Sequence, residues 1–134
     1  MSLNDVLQGL VEDVDGALGA AVVDLSSGLM LGVYHNVPHF TQSYVDAVAA
    51  AAVDMFRGKT ITSVEKLLAA QRGVTPSYHV HEIQMTSDKT YHFMAVVPDK
   101  PGALLVLITN RKTNLGMGWT AARRALNDVA PHCP

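Results

Sequence analysis

The sequence predicts a three-layer α/β domain, with a central five-stranded, mostly antiparallel sheet and helices on both faces. Three observations predict it. Amphipathic helical periods open and close the chain. Between them, five apolar segments of strand length are separated by turn signals. One of these, 103–109 (ALLVLIT), is apolar throughout, as a mid-sheet strand covered on both faces must be.

Taken in order, Leu3, Leu7, Leu10 and Val14 recur at spacings of 4, 3 and 4, so 3–14 reads as a helix capped by Ser2 or Asn4 and broken at Asp15-Gly16. Residues 17–25 and 29–35 read as strands joined by Ser26-Ser27-Gly28, a hairpin loop with a glycine free to take positive φ. The strongest helix spans 41–57, capped by Thr41 or Ser43 and closed by Gly58. Apolar residues occupy nearly its whole circumference, so it needs cover on more than one side. A short helix over 61–71, capped by Thr62 or Ser63, follows. Strands at 78–86 and 90–97 flank the turn Ser87-Asp88-Lys89, and Pro98–Gly102 is a loop before 103–109. The last helix starts at Asn114 and buries Leu115, Trp119, Ala122, Leu126 and Val129. Residues 1–130 thus form one domain, and 131–134 are expected to be a loose tail.

Composition narrows the function. Hydrophobic residues make up 49 % of the 134 and charged residues only 16 %, against roughly 25 % charged in typical domains. Disorder is excluded, and covered surface, hence an oligomer or standing partner, is expected. No Lys or Arg precedes Arg57, while that stretch holds seven acidic residues, from Asp5 to Asp54. With a net charge of −2, this argues against nucleic acid as a partner. One cysteine forbids an internal disulfide, no signal peptide or membrane span is apparent, and Cys133 lies outside any prenylation box. A soluble cytoplasmic protein is expected.

Several residue groups invite a chemical reading. Gly58-Lys59-Thr60 resembles the end of a phosphate loop, but Val53 stands where that motif needs a glycine. His79 and His81 share a strand face, and a two-residue hairpin loop would bring His92 onto it, as a metal site requires. Ordinary half-buried strand histidines are the simpler reading. Ser26, Ser27, Ser77 and Cys133 sit in no nucleophile elbow. Glu12, Asp13 and Asp15, and Arg111, Lys112, Arg123 and Arg124, read as solvated patches or partner-binding edges. Met30, Met85, Met94 and Met117 would suit the lining of a pocket between sheet and helix.

Residues 19–29 (GAAVVDLSSGL) resemble the opening hairpin of the Roadblock family of dynein light-chain-like domains. Residues 104–110 (LLVLITN) with Asn114-Leu115-Gly116 resemble its last strand and helix cap. Element order and length fit along essentially the whole chain. The resemblance implies a Roadblock/profilin-like fold of the bacterial or archaeal type. It also implies a homodimer in which the central helices pack together and the following edge strand pairs with its copy. Here those elements are 41–57 and 78–86, which places Tyr44, Val48, Ala51, Ala52, Met55, His79, His81 and Ile83 in the dimer interface. If His79 or His81 meets its copy there, protonation would weaken the dimer. The stretch 58–76, with its extra helix and Pro76, departs from the family pattern.

Roadblock-like proteins commonly regulate small Ras-like GTPases or act as signalling scaffolds. The resemblance implies that role here, without a cofactor, a bound metal or a catalytic residue, and with Asp46, Asp54 and Arg57 as the partner-binding residues. A small-molecule sensor is the alternative reading, and a histidine-based metal-dependent enzyme the third.

Overall fold

A computed structural model describes residues 1–134. Its element order is α1 (Leu3–Asp13), β1 (Ala17–Asp24), β2 (Met30–His35), α2 (Gln42–Arg57), α3 (Lys59–Arg72), β3 (Glu82–Thr86), β4 (Thr90–Val97), β5 (Lys100–Asn110) and α4 (Leu115–Val129), with a 3-10 turn over Ala130–His132. The strands lie in the order β2-β1-β5-β4-β3, every neighbouring pair antiparallel. Helices α1 and α4 cover one face and α2 the other.

Caps set the helix starts. Ser2 and Asp5 form a reciprocal capping box on α1, with Ser2 N donating to Asp5 Oδ2 at 2.9 Å and Asp5 N to Ser2 Oγ at 3.2 Å. Thr41 Oγ1 accepts from Tyr44 N on α2, and Asn114 Oδ1 from Met117 N on α4. The β1–β2 turn is held by the Asp24 carboxylate, which accepts from the Ser26 hydroxyl and amide and the Ser27 hydroxyl. Those bonds, the Ser26 hydroxyl first, hold the Asp24 carboxyl below its ordinary value.

The core divides by strand parity. On β5, Ala103, Leu105 and Leu107 face α1 and α4, while Leu104, Val106 and Ile108 face α2. On β4, Phe93, Ala95 and Val97 take the first side and Met94 the second. Gly118 of α4 lies so close to the sheet that a Cβ there would run into the Phe93 ring.

Three element starts shift by two residues or more from the sequence reading. Helix α3 begins at Lys59, not 61, because the single extended residue Gly58 both ends α2 and starts α3. The hydroxyls of Thr62 and Ser63 do not cap it; they donate back to the carbonyls of Gly58 and Lys59. Strand β3 begins at Glu82, not 78, because the segment before it is held by α3: the Glu65 carboxylate accepts from His79 N. Strand β5 begins at Lys100, because Asp99 takes a positive φ of 62° in a two-residue turn that pairs Val97 with Lys100. The tail expected to be loose is docked. Cys133 is 7 % exposed against the α1/α4 side of the core, and Lys100 Nζ donates to its carbonyl at 3.1 Å.

Replacing Gly118 by Ala forces a methyl group into the Phe93 ring. Overpacking of this kind costs about 1–3 kcal/mol, so urea unfolding of Gly118→Ala is expected to show a lower midpoint with an unchanged slope.

Candidate interaction surface

Helix α2 turns one stripe to the sheet, Val45, Ala49, Ala52 and Phe56 at spacings of 4, 3 and 4. The opposite side exposes Ser43, Asp46, Ala47, Ala50, Ala51 and Asp54. Of the residues expected in a dimer interface, Ala51 is exposed, whereas Tyr44, Val48 and Met55 are half-buried on this protein's own core. Tyr44 stacks on Phe40 with ring centroids 4.7 Å apart. Ala52 is a correction: at 1 % exposure it faces the sheet and is unavailable to a second chain. Ile83 lies on β3 and packs toward the α2 side.

His79 and His81 lie ahead of β3, not within it, and both are exposed. The His79 ring is 3.2 Å from Ser77 Oγ, while His81 extends the sheet only through its carbonyl, which accepts from Val96 N at 2.8 Å. The β3–β4 hairpin has a two-residue loop, Asp88-Lys89, which puts His92 opposite Met85. His92 is buried, its Nε2 3.0 Å from Thr90 Oγ1. No three His, Cys, Asp or Glu side chains come together in an arrangement that would hold a metal ion. The three histidines therefore do not assemble into the site that spacing alone allowed.

Among the residues expected to meet a partner, Asp46 and Asp54 are exposed, and Asp46 accepts from Gln42 Nε2 at 2.9 Å. Arg57 is already engaged. Its guanidinium donates to the carbonyls of Pro101, at 2.7 Å, and Phe56, at 3.0 Å, and stacks over Tyr78 at 3.7 Å. It braces the end of α2 against the start of β5 and the lead-in to β3. Arg123, read in the sequence as part of a solvated patch or partner-binding edge, forms with Glu82 a two-pronged ion pair with bonds of 2.7 and 2.8 Å that ties α4 to β3. Hydrogen bonding to Arg123 holds the Glu82 carboxyl below its ordinary range. Their separation by 41 residues left no local signal.

The methionines do not converge on a pocket. Met94 is in the core, Met30 lies under α2, Met85 is exposed on β3 and Met117 is 69 % exposed on α4. The space between the sheet and α2 is only about 20 Å³, the room of a single water molecule. A wider groove of about 590 Å³ lies on the other side, between α1 and α4, lined by both apolar and charged residues. No helix is long and apolar enough to cross a membrane.

No family model and no curated protein matches the chain by sequence. Solved structures match it in three dimensions. A Roadblock/LC7 domain from Streptomyces avermitilis aligns over 98 % of both chains at 20 % identity, with a TM-score of 0.72. The gliding protein MglB from Thermus thermophilus aligns over 98 % of this chain and 87 % of its own, at 18 % identity and a TM-score of 0.72. MglC from Myxococcus xanthus aligns over 96 % and 97 %, at 21 % identity and a TM-score of 0.60. The chain has the Roadblock/LC7 fold.

His92 supplies a test of the buried arrangement. Burial holds its imidazolium below the ordinary value of 6.5, so just below that pH the unfolded chain binds more protons than the folded one. Stability is therefore full above about pH 6.5 and falls as the pH drops through that value. In His92→Gln this part of the slope should vanish in urea unfolding between about pH 5 and 7; equal slopes in the two proteins would place His92 in water.

Proposed function

We propose that the protein is a self-associating, non-enzymatic adaptor or regulator of a small Ras-like GTPase. The observation that carries this reading is the surface made by the outer side of α2 and the free edge of the sheet. Strand β3 ends the strand order, so its outer backbone groups have no strand partner, an arrangement that exposes a protein to pairing with another chain. The opposite edge is partly closed, because Asn4 Oδ1 accepts from Val33 N at 3.1 Å and Leu3 lies against Gly32. A two-fold pairing of β3 with its copy satisfies the open edge. Similar solved structures support self-association, since one MglB structure is described in a tetrameric arrangement.

The GTPase assignment rests on the Roadblock resemblance, together with an acidic docking face. Asp46, Ala50 and Asp54 succeed one another at four-residue spacing along the exposed side of α2, with no exposed cation among them. Such a face fits a basic patch beside the switch loops of a GTPase. A regulator docked there acts by positioning the GTPase's own groups and needs no catalytic residue of its own. Arg57, fixed by Pro101 and Tyr78, acts here as a brace for the α2 end instead of a free partner contact.

The test uses small Ras-like GTPases of the source organism, loaded in turn with a GTP analogue and with GDP. One of them is expected to bind in a nucleotide-dependent way. The double charge reversal Asp46→Lys with Asp54→Lys should weaken that binding by about tenfold or more, the size expected for losing complementary charge at an interface. Undiminished affinity in the double variant would move the docking face elsewhere. Binding to no GTPase in either state would end the reading.

A further inference from the structure

The groove of about 590 Å³ between α1 and α4 lies on the sheet face opposite α2. Thr113 Oγ1, just before α4, donates to the carbonyl of Asp15, just past α1, at 2.7 Å. From that junction the groove runs to Asp5 and Asp128, at the far ends of the two helices. Along α1 this is a length of about 15 Å, at 1.5 Å per residue. The floor is apolar: Val6, Leu10 and Ala125 are buried, and the small Gly9 and Ala121 are half-buried. Met117 stands in the wall, 69 % exposed, as a flexible apolar contact. Gly9 has no reason inside this chain. A glycine within a helix lowers its stability relative to alanine, yet a Cβ at Gly9 meets nothing within 4 Å. The bare position leaves room for another chain to approach the α1 backbone.

The charges along the groove are equally unaccounted for by the fold. Asp13 ends α1 and Asp128 lies in the last turn of α4, where the helix dipole disfavours a carboxylate, and neither helix has a basic residue in its last turn. The ion pair of Arg123 with Glu82 involves none of the groove's charges, and Asp15 is engaged only through its carbonyl. Asp5, held by the capping box, adds a fourth carboxylate. Against these four the lining sets two basic side chains, Lys112 and Arg124.

We propose that this groove docks an amphipathic helix of a partner protein, about three turns long, with its apolar face toward Gly9 and Ala121 and its Lys or Arg side chains reaching Asp5, Asp13 and Asp128. An apolar floor between charged rims is the setting for helix-in-groove recognition. The excess of carboxylates selects a basic helix and repels nucleic acid and anionic lipid. A second copy seated here by a two-fold axis would set the same carboxylates face to face. A small molecule needs a site that buries most of its surface, whereas Asp5, Asp13, Thr120, Arg124 and Asp128 are all exposed and leave the groove open along its length. The docking site is independent of the GTPase reading, which rests on the other face of the sheet.

The experiment is fluorescence anisotropy with two labelled synthetic peptides of roughly 18 residues, long enough to form a helix. Both carry leucine along one helical face; the remaining positions are lysine in one and glutamate in the other. They are titrated with the unaltered chain, with Gly9→Leu, with Asp13→Lys plus Asp128→Lys, and with Asp46→Lys plus Asp54→Lys as a control on α2. Circular dichroism checks that each variant is folded; Gly9→Leu removes no contact and improves helix propensity. The lysine peptide is expected to bind, and the glutamate peptide to bind about tenfold more weakly or worse. Gly9→Leu and the Asp13 and Asp128 reversal should each weaken the lysine peptide by about tenfold or more, while the α2 control leaves it unchanged. Equal binding of the two peptides overturns the charge class of the partner. Failure of the lysine peptide to bind, or binding that survives Gly9→Leu, overturns the site, as does loss of binding in the α2 control alone. If the lysine peptide does not bind and Gly9→Leu shifts self-association in sedimentation equilibrium, the occupant is a second copy and the proposal falls.

Discussion

Everything in this fold depends on the alternation of side chains along β5. From Ala103 to Thr109 every residue is buried. Successive side chains go to opposite faces, so one seven-residue run feeds two separate cores: Leu105 and Leu107 enter the layer under α1 and α4, and Leu104, Val106 and Ile108 the layer under α2. A slip of one residue against β1 or β4 would exchange the two sets. The registers β1–β5 and β4–β5 are therefore selected by both cores at once. Fully burying a leucine or valine side chain is worth about 1.5–3 kcal/mol, so a slip that misplaces several of them is prohibitive. The buried hydroxyl of Thr109 is satisfied locally, donating to the carbonyl of Asn110 at 2.9 Å.

That dependence explains which features were legible in the sequence. Runs whose period matches one dominant environment were readable: the all-apolar β5, the 4-3-4 spacing of α1, and the caps Ser2, Thr41 and Asn114. Features set by distant partners were not. The start of β3 depends on Glu65 reaching His79 across 14 residues, and nothing in 78–81 announces it. Docking of the tail depends on Lys100 reaching Cys133 across 33. The same distinction governs the candidate surface. Because α2 is apolar nearly all round, its sequence could not say which alanine faces the sheet, and of the two expected at an interface Ala51 faces outward while Ala52 is buried. Asp46 and Asp54 were legible as exposed because charges on such a helix have only one side to occupy. The exposed apolar stripe of α3, Val64, Leu67 and Leu68, was written at helical spacing in 61–71, but it reads as inward packing until the structure shows that α3 lies beyond the sheet's cover.

The two cores leave no ligand-sized space between the sheet and α2, so the chemistry this protein can offer there is that of its outside. The outside is divided by charge and polarity. One side of α2 is acidic and lined with small residues, α3 exposes an apolar stripe, and β3 ends the sheet with an open backbone edge. Arg57 braces the end of α2 against the start of β5, and the Glu82–Arg123 pair ties the edge strand to α4.

The docked tail has a further consequence. Cys133 is the sole cysteine; its Sγ donates to the carbonyl of Val129 at 3.5 Å, and burial raises its thiol above the ordinary range. A thiolate-seeking reagent must therefore wait for the last turn to lift away from α4. The protein thus carries its own clock for the fraying of one face. The rate at which that single sulfur is alkylated reads how often the α1/α4 layer opens at its end, separately from any event on the α2 side of the sheet.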